Sequence, residues 1–370
     1  GSFTLRVSAV GELPLTLDGG GDTVTAQSPG AWSFYRVEVP AQIGGEDVLG
    51  WELKVASWTG HRPTMVVRRD ALPTTATSSG TWALTSPPRY PYRWGALWGS
   101  GDQWANTSFD WTGRVYSPDA SQYEESYGMW APMGRPLEPG TYYIGFYNDS
   151  PSEPSTFTFT SKAIGAGMGH DPQPLAFDGG TASITDLPAR DVAYYYVDIP
   201  AGTPSWRVSL GADSGESALY IHQDSIPTSQ TTGYGNDPPY EYYLTRLQKD
   251  GDEHYTLLPG ISGNSEPTLR EGRYYLMVVS EGQNPANRYY IGTGTSSATL
   301  TSHGLAEAPT DLGTVSIGTD LVHPDSYELG RLKRYTFTVP EGVNALEVKL
   351  ENRVGDPWMW ALHTDGEADF

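Results

Sequence analysis

Residues Leu137–Asn148 read LEPGTYYIGFYN, and residues Leu269–Ser280 read LREGRYYLMVVS. Gly140 and Gly272 hold the same place in the two phrases, and Tyr142-Tyr143 answers Tyr274-Tyr275. Each phrase reads as a turn followed by a strand. Pro139-Gly140 and Glu271-Gly272 make the turn, glycine supplies the backbone freedom, and the aromatics start the strand. A phrase used twice implies an internal repeat, and a repeat decides the architecture before any motif does.

Other phrases recur in the same order. An opening strand appears as LPLTLDGG from Leu13, QPLAFDGG from Gln173 and LGTVSIG from Leu312. A strand closed by proline appears as FYRVEVPA ending at Pro40, YYYVDIPAG at Pro200 and RYTFTVPEG at Pro340, with Tyr35, Tyr195 and Tyr335 matched. Next come WELKVAS from Trp51, WRVSLGA from Trp206 and LEVKLEN from Leu346. A strand then runs into an aspartate, giving MVVRRDALPTT, LYIHQDSIPTS and MWALHTDGE with Asp70, Asp224 and Asp365 in register. Apolar and polar residues alternate with period two, as in Tyr35, Val37 and Val39 against Arg36 and Glu38, which is the pattern of a half-buried strand. Proline ends such a strand by removing a ladder donor.

A closing phrase completes each copy: STFTFTSKAIG from Ser155 and NRYYIGTGTSS from Asn287. FTLRVSAVG, Phe3–Gly11, aligns without a gap on Phe157–Gly165. The chain therefore divides into residues 1–11, read as the closing strand of a preceding repeat, a first sandwich over 12–165, a second over 166–304, and the first half of a third over 305–370. Two explanations of the ends stand side by side. The chain is a segment of a longer tandem array, or its first strand completes the half domain of another copy, head to tail.

The fold class expected is all-β, a tandem series of jelly-roll or Ig-like antiparallel β-sandwich repeats. Composition agrees: 43 Gly, 29 Pro and 24 Tyr favour short strands with strong punctuation. The net charge of -21 excludes nucleic acid as a natural partner. There is no cysteine, which excludes disulfides, zinc–thiolate sites and a cysteine nucleophile. No apolar run is long enough to span a bilayer as a helix.

The phrases resemble the bacterial pre-peptidase C-terminal domain family, carried by YRVEVPA at Tyr35, RRDALPTT at Arg68 and LEPGTYYIGFYN at Leu137, and again by YVDIPAG, HQDSIPTS and LREGRYYLMVVS. The resemblance implies a jelly-roll-like sandwich of about seven or eight strands per copy. It also implies a non-catalytic module appended to secreted bacterial proteins, some relatives of which bind collagen or calcium. The copies here are longer than that family's usual length.

Candidate chemistry is sparse. Ser214 in GADSGES lacks the flanking residues of a protease motif and sits where a turn is expected. Gly-x-Ser-x-Gly, His-Glu-x-x-His and a phosphate-binding loop are all missing. His222 and His363 stand near matched positions but face Arg68 or Arg69 in the first copy, so they read as strand-surface residues rather than a base. No enzyme is expected. Asp70 and Asp224 read first as turn caps and second as metal ligands, with calcium the ion that oxygen ligands would take. Asp250 and Asp252, in KDGDEH, read first as a hairpin turn and second as part of the same calcium set.

The segment Arg89–Trp130 is an aromatic-rich insertion that accounts for the greater length of the first copy. It brings Tyr92, Trp94, Trp98, Trp104, Trp111 and Tyr116 beside Asn, Gln and Asp. Flat aromatics of this kind pack a small satellite core, or stack on sugar rings and anchor a protein interface. The expected role is structural or adhesive, in a secreted or cell-surface bacterial protein. Its partners would be neighbouring repeats, and polysaccharide or matrix protein through 89–130; a self-assembling filament or surface-layer subunit is the further alternative.

Overall fold

A computed structural model describes residues 11–76, 101, 103–106, 129–133, 137–189, 191–203, 205–227, 245–247, 251–257, 271–283, 294–304, 309–326, 333–357 and 359. Every regular element among them is a strand. The first copy holds β1 (Glu12–Leu15), β2 (Gly20–Gln27), β3 (Trp32–Val39), the short pair β4 (Gln42–Ile43) and β5 (Glu46–Asp47), β6 (Gly50–Gly60), β7 (Thr64–Arg69), β8 (Gln103–Asn106), β9 (Met129–Met133), β10 (Gly140–Tyr147) and β11 (Ser155–Ile164). The second holds β12 (Gln173–Pro174), β13 (Gly180–Pro188), β14 (Val192–Ile199), β15 (Trp206–Ser214), β16 (Glu216–Gln223), β17 (Thr245–Leu247), β18 (Glu253–Leu257), β19 (Gly272–Gly282) and β20 (Thr295–Gly304). Two more, β21 (Thr310–Thr314) and β22 (Tyr335–Thr338), follow.

In the first copy β2 pairs with β11, β3 with β10, β6 with β9 and β7 with β8, all antiparallel. These are the rungs of one long hairpin. The hairpin is rolled, because β11 also pairs with β6 and β10 with β7. Two sheets result, β2-β11-β6-β9 and β1-β3-β10-β7-β8. A rolled hairpin split between two facing sheets is the jelly-roll sandwich. The second copy repeats it strand for strand, as β13-β20-β15-β18 and β12-β14-β19-β16-β17. The fold class read from the sequence is thus the fold observed.

One pairing breaks the antiparallel rule in the same way each time. β1 runs parallel to β3, β12 to β14 and β21 to β22, and the tyrosine matched in sequence lies opposite the opening strand: Leu13 against Tyr35, Gln173 against Tyr195, Thr310 against Tyr335.

The cores repeat as well. Trp51 and Trp206 are fully buried, and each indole Nε1 donates to a serine, Ser161 or Ser302, at 2.8 Å. Each serine hydroxyl then donates to a main-chain oxygen, Leu17 O at 2.6 Å or Phe177 O at 2.7 Å. Burying an indole leaves its N–H needing a partner, and both copies supply the same relay. Around Trp51 pack Tyr35, Tyr142, Phe146 and Phe159; around Trp206 pack Tyr195, Tyr274, Leu276 and Leu300.

The serine relay aligns Ser161 with Ser302, and this corrects one sequence expectation. The closing strand of the second copy is Thr295–Gly304, not the phrase from Asn287, whose residues up to 293 lie outside the described set. Tyr289 and Ile291 imitate the alternation, but Ala298 and Leu300 are the residues that enter the core. The third copy also departs from expectation. Leu346–Asn352 forms no strand, and Leu346, Val348 and Leu350 are 48%, 39% and 44% exposed. In the complete copies the matching residues gain a strand's pairing from β11 or β20; no such strand stands beside Leu346 among the described residues. Residues 3–10 of the phrase FTLRVSAVG and Asp365 lie outside them.

Candidate functional site

The aromatic segment is not a single loop. Gln103–Asn106 forms β8, and Met129–Met133 forms β9, so a stretch inside the expected insertion and its last residues belong to the frame. Trp104 is a strand residue opposite Val67, and Trp130 lies opposite Lys54. Four residues are too few to declare a period of two, which is why β8 reads as loop in the sequence. The extra length of the first copy falls in two connections. Residues 70–102 link β7 to β8 where residues 224–244 serve the second copy, and 107–128 link β8 to β9 where 248–252 suffice. Tyr92, Trp94, Trp98, Trp111 and Tyr116 lie in these connections, outside the described residues.

The described strands β8 and β9 are well anchored. β8 is the outer strand of one sheet and β9 of the other, so residues 107–128 connect strands of different sheets. Gln103 is fully buried; its side-chain amide donates to Thr75 O at 2.8 Å, and its oxygen accepts from Thr74 N at 3.3 Å. Arg68 Nε donates to Gly101 O at 3.0 Å and Arg68 Nη1 to Leu72 O at 2.9 Å. A buried amide with both ends bonded fixes a connection to its sheet edge.

Asp70 and Asp224 occupy one structural position. Both have left-handed backbones, with φ of 60° and 66°. Their main-chain N–H groups donate across the sheet, Asp70 to Thr141 O at 2.8 Å and Asp224 to Arg273 O at 2.9 Å. Aspartate is among the few residues that tolerate this conformation. What recurs is therefore the turn itself. Beside it the chain enters β10 or β19 through Gly140 or Gly272, with φ of 157° and 120°. The corner is clamped in different ways. Arg69 donates to Glu138 Oε2 at 3.1 Å in the first copy, and Gln223 Nε2 donates to Glu271 O at 3.2 Å in the second.

Asp252 is elsewhere. Its Oδ1 accepts from Ala212 N at 2.9 Å, and the N–H of neighbouring Gly251 donates to the Glu216 carboxylate at 3.1 Å and 3.2 Å. KDGDEH carries the chain from β17 to β18, which belong to different sheets, so it is an arch between sheets rather than a hairpin turn. Asp250 lies outside the described residues. Among the described residues no three His, Asp or Glu side chains converge as a metal site.

Ser214 ends β15 and is followed by Gly215 at φ 66°. His222 is not on the surface as expected. It is 2% exposed, with Nδ1 2.9 Å from Ser225 Oγ. The cause is that every residue of β16 is buried, so this sheet is covered on both faces. His363 lies outside the described residues.

No protein-family profile matches the chain. No curated protein matches it either. Among solved structures, a protein of Eubacterium rectale provisionally described as secreted aligns at 11% identity and a TM-score of 0.18, over 73% of this chain and 68% of that one. The CUB1-EGF-CUB2 region of human MASP-1/3 aligns at 8% identity and a TM-score of 0.19, over 76% of this chain and 99% of its own. Scores this low carry no argument about fold or function. No helix among the described residues is long and apolar enough to cross a membrane.

Proposed function

We propose that the chain is a non-catalytic tandem of sandwich modules, similar to pre-peptidase C-terminal domains, that serves a structural or adhesive role outside or on the surface of a bacterium. One observation carries this reading. The same rolled hairpin and the same Trp–Ser relay occur twice in series, while the connections at one side of the frame differ in length. A frame held constant with variable connections is how scaffolds display binding loops. The adhesive part of the proposal falls on 89–130, with polysaccharide or matrix protein as the partner. Trp94 and Trp98 would stack on sugar rings or fill an interface. The test is a glycan and matrix-protein array probed with the wild-type chain and with a Trp94→Ala, Trp98→Ala variant. Binding lost in the variant supports adhesion; binding equal in both, or none in either, leaves a spacer alone.

Self-assembly is a second reading, favoured by the exposed row Leu346, Val348 and Leu350. In the complete copies the strand beside that row has the pattern that Phe3–Gly11 also carries. A neighbouring copy would donate it by strand addition. Light scattering over a range of concentrations decides this reading, and a single monomeric mass throughout removes it.

A further inference from the structure

A third buried cluster lies at the junction between the two complete copies. Sheet faces that point away from a sandwich core usually meet water. In the second copy this face is covered. Val192 and Tyr194 of β14 and Met277 and Val279 of β19 lie buried in one cluster with Ile164, the last residue of β11, and Leu49 packs against them. Leu49 N donates to Ile164 O at 2.8 Å, so the two aliphatic side chains are offered together from one end of the first sandwich.

One ion pair and one carboxylate–imidazole contact border this joint. Lys54 of β6 pairs with Asp191, just ahead of β14. Glu52, also on β6, has a side chain only 4% exposed, and its Oε1 lies 3.0 Å from His170 Nε2. Tyr194 stands between the copies with its ring edge-on to His170, centroids 5.5 Å apart. The connection has no slack. His170 N donates to Ala163 O at 3.0 Å, and His170 O accepts from Gly165 N at 2.9 Å, which folds the linker back onto the end of β11. A tether this short keeps the two surfaces at high effective concentration.

We propose that the outer face of the five-stranded sheet is the surface by which one sandwich seats on the end of the sandwich before it, and that the Lys54–Asp191 and Glu52–His170 pairs key this joint so that the first two copies behave as one stiff unit. Apolar contact supplies the attraction, and the two polar pairs fix the register, since a slipped contact would bury the Glu52 carboxylate with no partner. The joint stands apart from whatever 89–130 binds, so failure of the adhesion test leaves it intact.

The chain has no cysteine, which makes the test direct. Ser28 and Ala201 are exposed, one in each copy. Spin labels on a Ser28→Cys, Ala201→Cys background report the distance between the copies by pulsed electron resonance. The expected result is one narrow distance distribution for the otherwise wild-type chain. Asp191→Asn and Glu52→Gln should each broaden it, and the two together should broaden it most, with the circular dichroism of both sandwiches unchanged. A broad distribution in the wild-type background overturns the stiff joint. A distribution that stays equally narrow in the double variant overturns the keying role of the charges. Because the first measurement needs no core variant, a misfolded mutant does not block the answer.

Discussion

The two copies treat the same sheet face in opposite ways. In the first, Trp32 lies across Gly145: a Cβ at Gly145 would stand 2.8 Å from the indole ring and 3.1 Å from Pro73. Trp32 also stacks with Phe34 at 5.3 Å and with Tyr147 at 4.8 Å, and all three rings remain half-buried. In the second copy, register places Val192 where Trp32 stands and Met277 where Gly145 stands. Both are buried against the end of the first copy. One face closes itself with its own tryptophan over a glycine, much as an aromatic shields a strand glycine in designed sheets. The other leaves a fuller surface for a neighbour to cover. A repeat keeps its interior because packing tolerates little change; its exterior records what lies next to it.

The hardest blow to that contrast is Met277→Gly, which writes the first copy's residue into the second. With no tryptophan to lie over it, the change empties a fully buried site and should cost about 3 kcal/mol. Urea denaturation gives the value, and a loss below about 1 kcal/mol would mean that this face is not a packed interface. The complementary Trp32→Val should cost less, since that ring is half in water.

Next in size is the shared relay. Trp51→Phe and Trp206→Phe each remove the same indole N–H from the same serine, and each should cost about 2 kcal/mol. The comparison is sharpest if the two losses agree to within about 0.5 kcal/mol in denaturant titrations at matched pH. A large disagreement would mean that the copies share topology but not core energetics.

The smallest effect belongs to Tyr194. Burial, with the Glu52 carboxylate nearby, raises its hydroxyl well above the ordinary tyrosine value. The folded state thus holds the phenolic proton more tightly than the unfolded state does. Its contribution is complete below the unfolded value of about 10 and shrinks as pH rises further. Tyr194→Phe should change stability by less than about 1 kcal/mol at neutral pH, because the hydroxyl has no hydrogen-bond partner among the described residues. Denaturant midpoints taken near about pH 8 and about pH 10.5 should fall further in the wild type than in the variant. Equal falls would place the alkaline sensitivity on other tyrosines, such as Tyr35 and Tyr142, which burial also raises.

Much of this frame is legible in the sequence because alternation and turn chemistry are local. Tyr35, Val37 and Val39 announce the buried face of β3, and Gly140 and Gly272 mark where β10 and β19 begin. The short strands β8, β9, β17 and β18 escape notice, since three to five residues show no period. The covered outer face was signalled after all. LYIHQ and YYLMVVS are nearly continuous apolar runs, the mark of a strand buried on both sides, but their first-copy counterparts MVVRR and YYIGFY are also largely apolar, so the run alone does not tell a face covered by a neighbour from one covered by its own tryptophan. The aromatic connections are plain in composition, yet composition alone does not say that Trp104 and Trp130 belong to the sheets.

The rolled hairpin has a consequence for how the molecule is made. Its outermost rung joins residues far apart, as in the contact of Thr23 with Thr158 across 135 positions. Neither sandwich can close until its final strand has emerged, so folding is slow and waits on the whole copy. Two hairpins of the same topology on one nascent polypeptide can compete for each other's last strand, the usual hazard of repeated domains. The unlike outer faces of the copies give the growing chain a means of telling one from the other.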